Sequence, residues 1–211
     1  MSAPVDPRRL VAILRGLPPE DAPAVGAALY RAGVRVLEVP LTGPDPLRSI
    51  TALRSTLPHD AEVGAGTVRS VEDVRRAQGA GASLVVSPHL DTAVVAAALA
   101  RSMRCLPGVA TVTEAFAALA AGARELKVFP ADQVGTSGLR AWRTVLPPEV
   151  ALYPVGGVDA TNLARWAAAG ADGFGVGGSL YRQGQRASDV AASARDLVRA
   201  YGLTRLRDSS P

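Results

Sequence analysis

Short runs of β-branched and aliphatic residues alternate along the chain with longer Ala- and Leu-rich stretches of helical period. The strand-like runs are Leu10–Leu14, Val34–Pro40, Glu62–Thr67, Leu84–Pro88, Arg104–Pro107, Glu125–Pro130, Ala151–Val155 and Gly173–Val176. Between and after them the pattern predicts helices over Pro19–Ala32, Asp45–Leu57, from Ser70 onward, Asp91–Arg101, from Thr111 or Thr113 to about Gly122, Ser137–Val145, Thr161–Gly170 and Ser188–Tyr201. Ser70 with Asp73 three residues on reads as a capping-box-like start. Ala32-Gly33-Val34, Ala121-Gly122-Ala123 and Ala169-Gly170-Ala171 each place glycine where a helix gives way to a strand. Alternating β and α elements imply parallel strands with helical crossovers. Eight such units predict an α/β fold of the TIM (β/α)8 barrel type, one domain over 1–211. A doubly wound open sheet is the second choice, but Leu14-Arg-Gly-Leu-Pro18 lacks the dinucleotide fingerprint that fold places after its first strand.

Composition narrows the function. The chain of 211 residues is 48% apolar and 20% charged, which supports a packed core rather than disorder. Its net charge is only +4, its basic residues are scattered, and aromatics are 4%, so a nucleic-acid partner is not expected. The single cysteine, Cys105, rules out an internal disulfide and a multi-cysteine metal site, and reads as a small buried residue. No run is long enough to span a bilayer and no secretory signal opens the chain, so the expectation is a cytoplasmic protein with no membrane partner. A polar tail is expected from about Thr204.

Of the 23 basic residues, 22 are arginine and one is lysine, Lys127. Arginine supplies charge anywhere on a surface but cannot supply a neutral primary amine. Strand alternation puts Lys127 and Phe129 on one face and Leu126 and Val128 on the other. In a barrel the first pair points inward, where poor solvation lowers the lysine pKa and frees an amine able to form a Schiff base with a ketone. A structural lysine paired with a carboxylate is the alternative. Glu38 alternates against Leu37 and Val39, so it also faces inward, as a general acid/base or as one half of an internal salt bridge.

Function in such barrels collects where strands end, which here also brings Arg15, Thr67, Pro88 and His89 together. Gly156-Gly157 follows the seventh strand and Gly177-Gly178-Ser179 the eighth, the two loops that commonly hold phosphate. Their backbone N–H groups and the Ser179 hydroxyl are candidate phosphate donors. His59 reads as an exposed loop residue, and Met103 and Trp166 as packing. No His or Cys pair sits at metal-ligand spacing, so no metal is expected.

At these residues the chain resembles the 2-keto-3-deoxy-6-phosphogluconate aldolase family. The resemblance runs from Ala12 to about Tyr201 on Leu37-Glu-Val, Gly64-Ala-Gly-Thr-Val68, Val86-Ser-Pro88, Pro107-Gly108, Thr113-Glu-Ala, Leu126-Lys-Val-Phe-Pro-Ala131, Val155-Gly-Gly157 and Gly177-Gly-Ser179. It implies a class I aldolase without metal or cofactor, a homotrimer, acting on a small phosphorylated keto acid. Lys127 then matches the Schiff-base lysine and Glu38 the general acid/base. Thr67 and Pro88 match the pyruvate end, and Gly156, Gly157, Gly177, Gly178 and Ser179 the phosphate end.

The phosphogluconate branch usually carries a Thr-Leu-Arg-Thr type turn after its Glu strand. Here Pro40-Leu-Thr-Gly-Pro44 lacks that arginine, while Arg15 ends the first strand. With Leu180-Tyr-Arg-Gln-Gly-Gln185 this resembles the branch acting on the C4 epimer, 2-keto-3-deoxy-6-phosphogalactonate, with Arg15 as the partner of the substrate carboxylate. Cleavage of the phosphogluconate epimer or of 4-hydroxy-2-oxoglutarate is the alternative. A phosphosugar isomerase or epimerase and a non-catalytic phospho-ligand sensor are more distant ones.

Overall fold

The computed structural model of the chain describes residues 6–204. After a short 3₁₀ turn at Pro7–Arg9, strand and helix alternate as the sequence pattern predicts. The elements are β1 (Leu10–Ile13), α1 (Ala22–Ala32), β2 (Val36–Pro40), α2 (Pro46–Thr56), β3 (Glu62–Gly66), α3 (Val71–Gly79), β4 (Leu84–Val86), α4 (Thr92–Leu99) and β5 (Arg104–Leu106). They continue with β6 (Gly108–Val109), α5 (Val112–Ala120), β7 (Glu125–Val128), α6 (Ala131–Arg143), β8 (Ala151–Pro154), α7 (Leu163–Ala168), β9 (Phe174–Val176) and α8 (Ala187–Gly202).

All the strand pairs are parallel. One ladder runs β5-β4-β3-β2-β1-β9 and the other β6-β7-β8, with a parallel bridge between Val155 and Gly175. Pro107 separates β5 from β6. It has no N–H to give the ladder, although its carbonyl still accepts from Lys127 N at 2.9 Å. The strand expected over Arg104–Pro107 is therefore β5, ending at Leu106, and β6 is a further short strand beyond it.

Local chemistry explains where helices start and stop. Ser70 accepts from Asp73 N and opens α3; Thr111 forms a full capping box with Glu114 and opens α5. Gly33 closes α1 at φ 107°, a conformation an L side chain avoids. One expectation holds in part and one needs correction. α6 is interrupted at Gly135, whose φ 69° and ψ 165° are not helical: a first turn opens at Ala131 behind the Pro130 N-cap, and the main helix follows Gly135, beside the start expected near Ser137. α7 begins at Leu163, since Thr161 donates its hydroxyl to Asp159 Oδ1 instead of capping.

Strand alternation sorts the core into two parts. Leu37, Val39, Val63, Ala65, Val85, Leu126, Val128, Leu152, Phe174 and Val176 pack with helix residues such as Leu29, Leu53, Val74, Val94, Leu139 and Val190. Each such buried aliphatic side chain contributes roughly 1.5–3 kcal/mol. Val11, Val36, Leu84, Val86, Leu106 and Tyr153 form a separate cluster on the opposite strand faces. Cys105 is buried, and burial pushes its thiol up to about 12. Thr204, expected to begin the polar tail, is buried and its hydroxyl donates to Ala200 O at 2.9 Å; the rest of that tail lies outside the described residues. No helix among the described residues is long and apolar enough to cross a membrane.

Candidate active site

Lys127 lies in the centre of β7 and Glu38 in the centre of β2, and both face the strand interior as alternation predicts. They are 5% and 2% exposed, among the few buried charged residues of the fold. Lys127 Nζ stands 4.6 Å from the centroid of the Phe129 ring, two residues further along the same face.

Neither group is locked into a salt bridge. Among the described residues no ion pair within 4.0 Å includes Lys127 or Glu38. The carboxylate nearest in sequence, Glu125, is held by Arg104, with Nε–Oε2 at 2.6 Å. Arg104 also holds Glu62 at 2.9 Å and donates to the Tyr153 hydroxyl, which donates in turn to Glu125 Oε1 at 2.7 Å. This polar cluster sits at the N-terminal ends of β3, β5 and β7, where the Tyr153 hydroxyl reaches in from β8. The sequence reading missed it. Its signal was present, because Glu125 shares a strand face with Lys127, and Arg104 and Tyr153 alternate onto the same side.

Isolation tunes both groups. Burial raises the Glu38 carboxyl to about 7, against a lowering by the nearby Lys127 and Arg15 charges. Burial also lowers Lys127, which Glu38 partly offsets and Arg15 reinforces. A buried amine and a buried carboxyl that sense each other without pairing can exchange protons with a third molecule between them.

The remaining predicted residues surround this pair. Arg15 is exposed, two residues beyond β1, and is close enough to act electrostatically on both Lys127 and Glu38. Thr67, half-buried, follows β3 with φ 55°, in the left-handed region that non-glycine residues seldom enter. Pro88 follows β4, and its backbone packs so closely on Gly108 that a Cβ there would lie 2.5 Å from the Pro88 carbonyl carbon. His89 is exposed beside it. His59 borders a cavity shared with Arg104 and Glu125, at the far end from Lys127.

The two glycine loops lie side by side. Ser179 Oγ donates to Val158 O at 3.2 Å and so ties one loop to the other. Asn162 holds Gly157 O at 2.8 Å and Arg182 holds Gly178 O at 3.0 Å. Carbonyls are thus tied back, while the N–H groups of Gly156, Gly157, Gly177 and Gly178 donate no backbone hydrogen bond among the described residues. Gly156 and Gly157 have φ of 105° and 69°, so the turn itself demands glycine. That geometry suits an anion. Asp132, in the first turn of α6, borders the same loop and was not singled out from sequence; its Oδ1 lies 3.8 Å from where a Cβ on Gly156 would stand. Among the described residues no three His, Cys, Asp or Glu side chains converge as metal ligands.

Known proteins are similar to this chain in sequence and in fold. The profile of the family described as "Aldolase: KDPG and KHG aldolase" matches residues 3–195. A probable 2-dehydro-3-deoxy-6-phosphogalactonate aldolase of Rhizobium meliloti is 46% identical over 194 residues, 92% of each chain. The 2-dehydro-3-deoxy-6-phosphogalactonate aldolase of Escherichia coli is 42% identical, covering 91% of this chain and 94% of its own. The KHG/KDPG aldolase of Escherichia coli is 34% identical over 68% of this chain and 67% of its own. A solved structure described as native KDPGal superposes with a TM-score of 0.89 at 42% identity, over 91% of this chain and 93% of that one. By sequence and by fold, this chain belongs to the KDPG and KHG aldolase family.

Proposed function

We propose that the chain cleaves 2-dehydro-3-deoxy-6-phosphogalactonate to pyruvate and D-glyceraldehyde 3-phosphate through a Schiff base on Lys127. The observation that carries this reading is the buried, unpaired Lys127 amine beside a buried Glu38 carboxyl that titrates near neutrality. The identities of 46% and 42% to relatives named for the phosphogalactonate substrate, against 34% to the KHG/KDPG enzyme, favour that epimer.

Lys127 adds to the C2 ketone and water leaves, giving an iminium. Glu38 removes the proton of the C4 hydroxyl as the C3–C4 bond breaks, and the electron pair of that bond moves through C3 and C2 onto nitrogen. The aldehyde departs. Glu38 returns a proton to C3 of the enamine, and hydrolysis frees pyruvate and the amine. Arg15 holds the substrate carboxylate, Thr67, Pro88 and Phe129 line the pyruvate end, and the Gly156-Gly157 and Gly177-Gly178-Ser179 loops hold the phosphate. Because Ser179 already donates to Val158 O, its first service is to fix the loop, and the backbone N–H groups carry more of the phosphate contact.

The adjoining ladders and the Val155–Gly175 bridge support a closed eight-fold barrel as one domain over 1–211. A homotrimer is supported by apolar surface on successive helices, with Leu99 on α4 and Phe116 on α5 both exposed, and by a similar chain built into a cage of symmetric oligomeric domains. A cytoplasmic location agrees with the single buried thiol.

The deciding experiment is a pyruvate-release assay on both C4 epimers side by side. Release from the phosphogalactonate epimer with the higher kcat/KM is the expected result. Turnover without pyruvate would point to an isomerase or epimerase, and binding without turnover to a sensor.

A further inference from the structure

The interior glycines of this fold vacate space for particular neighbours. On β3 a Cβ at Gly64 would press on Leu84, at 2.7 Å from its Cβ. Just before β9 a Cβ at Gly173 would collide with the Tyr153 ring, and on β9 one at Gly175 would meet Val155 Cγ2 at 2.6 Å. Each of these three admits an apolar or aromatic side chain. Gly66, the last residue of β3, is different. Its Cβ would fall inside the van der Waals radii of Glu38 Oε2 and Cδ, and 2.6 Å from Oε1. The three nearest atoms are all of the Glu38 carboxyl group.

The backbone does not require glycine at this position. Gly66 is not among the residues of positive φ, and it pairs with Pro40 in an ordinary parallel ladder. An alanine would therefore fit the main chain. What it would not fit is the carboxyl group of Glu38, whose own strand partner is Gly64, one step below on the same face. The carboxyl leans across β2 onto the bare peptide of β3. Glu38 Oε2 is buried there and has no hydrogen-bond partner among the described residues. A carboxylate placed on a surface without donors is poorly solvated, in accord with the burial that raises its pKa. Lying sideways, it also stays out of ion-pair reach of Lys127.

We propose that Gly66 is a positioning residue, whose bare backbone seats the Glu38 carboxyl to one side of the Lys127 amine. The assignment rests on the aldolase reading for its catalytic meaning, and on the Gly66–Glu38 contact for its geometry. A Cβ at this position drives the carboxyl from its seat, so proton transfer at C3 and at the C4 hydroxyl fails while the lysine itself is untouched.

The experiment compares wild type with Gly66→Ala, Glu38→Ala, Glu38→Ala/Gly66→Ala, Glu38→Asp and Glu38→Asp/Gly66→Ala. In Gly66→Ala, kcat should fall at least roughly 10²-fold with KM changed little, the scale of a lost acid/base. Deuterium exchange at C3 of pyruvate should fall in parallel, and the neutral-pH limb of the rate profile should move or vanish. Borohydride should still trap pyruvate on Lys127 after long incubation. In the Glu38→Asp background the shorter side chain clears the added methyl, so Gly66→Ala should cost less than about threefold, a non-additive pair. Thermal unfolding supplies an independent readout: the loss caused by Gly66→Ala should disappear when residue 38 is alanine. If Gly66→Ala does not fold, Glu38→Ala/Gly66→Ala should. Wild-type kcat and pH profile in Gly66→Ala, or an equal stability loss with and without the Glu38 side chain, would overturn the proposal. A wild-type enzyme that releases no pyruvate would strike the aldolase reading instead, and the stability comparison would still test the seat.

Discussion

Glu125 and Lys127 stand two residues apart on one face of β7 and meet opposite fates. Glu125 is clasped by Arg104 at 2.6 Å and bonded by the Tyr153 hydroxyl, whereas Lys127 has no carboxylate within ion-pair distance among the described residues. The lower residue is held in an ion pair, and the upper one has none among the described residues. The arrangement answers the question left open by strand alternation, which could not separate a paired lysine from a free one.

The free amine predicts a unique chemical label. Borohydride in the presence of pyruvate should reduce one adduct onto Lys127, the only lysine of the chain, apart from any at the N-terminal amine. Peptide mapping checks it, and an unmodified Lys127 under turnover conditions counts against the mechanism. Lys127→Arg should be inactive, since the guanidinium keeps its proton and offers no nucleophile.

Glu38→Gln should lower turnover by roughly 10²–10⁴-fold while leaving the iminium trappable. The pH profile carries a second signature. Cleavage needs the carboxylate form, so kcat/KM of the wild type should rise as pH passes about 7 and this limb should be absent from the variant.

The same group shapes stability. Folded Glu38 titrates near 7, above the roughly 4.3 of an unfolded glutamate. The folded state therefore holds this proton more tightly, and stability from Glu38 is full below about pH 4.3 and lost as pH rises toward 7. Glu38→Gln should be more stable than wild type by an amount that grows over that window and then levels, at most about 4 kcal/mol. Thermal melts at several pH values measure it; a constant difference would show that Glu38 does not titrate in this range.

At the phosphate end, Gly178 is the cleaner test than Gly157. A Cβ at Gly178 meets nothing within 4 Å and its φ is unstrained, whereas Gly157 at φ 69° would be strained by any side chain. Gly178→Ala should keep wild-type stability and raise KM for the phosphorylated substrate while leaving pyruvate trapping intact. Equal KM in the two enzymes would mean that this loop does not approach the phosphate.

Arg15→Ala should raise KM for the keto acid and weaken pyruvate trapping, with glyceraldehyde 3-phosphate binding little changed. Its guanidinium acts on both Lys127 and Glu38, which suits a partner for a carboxylate held between them. The wild type should prefer the phosphogalactonate epimer by kcat/KM. Unaltered pyruvate affinity in the variant would remove Arg15 from the site.

The sequence by itself determined the alternation of strand and helix, the inward direction of Glu38 and Lys127, and the clustering of Arg15, Thr67, Pro88 and the glycine pairs at strand ends. Those follow from local periodicity, from Gly33, Ser70 and Thr111 acting as stop and start signals, and from a lone lysine among arginines. Periodicity places the main helix after Gly135 but not the extra turn that opens at Ala131, and it misplaces the helix start beside Asp159, where Thr161 bonds to a side chain that periodicity does not see. Only the tertiary structure decided which charges pair. Arg104, Glu62, Glu125 and Tyr153 come from four strands and meet only when the sheet curls, which leaves Lys127 without a counter-ion among the described residues. Likewise, nothing in the spacing of Glu38 and Gly66 reveals that one is the seat of the other. Their contact depends on the register between β2 and β3 and on the lean of a single side chain, and both are fixed by packing between strands rather than along either one.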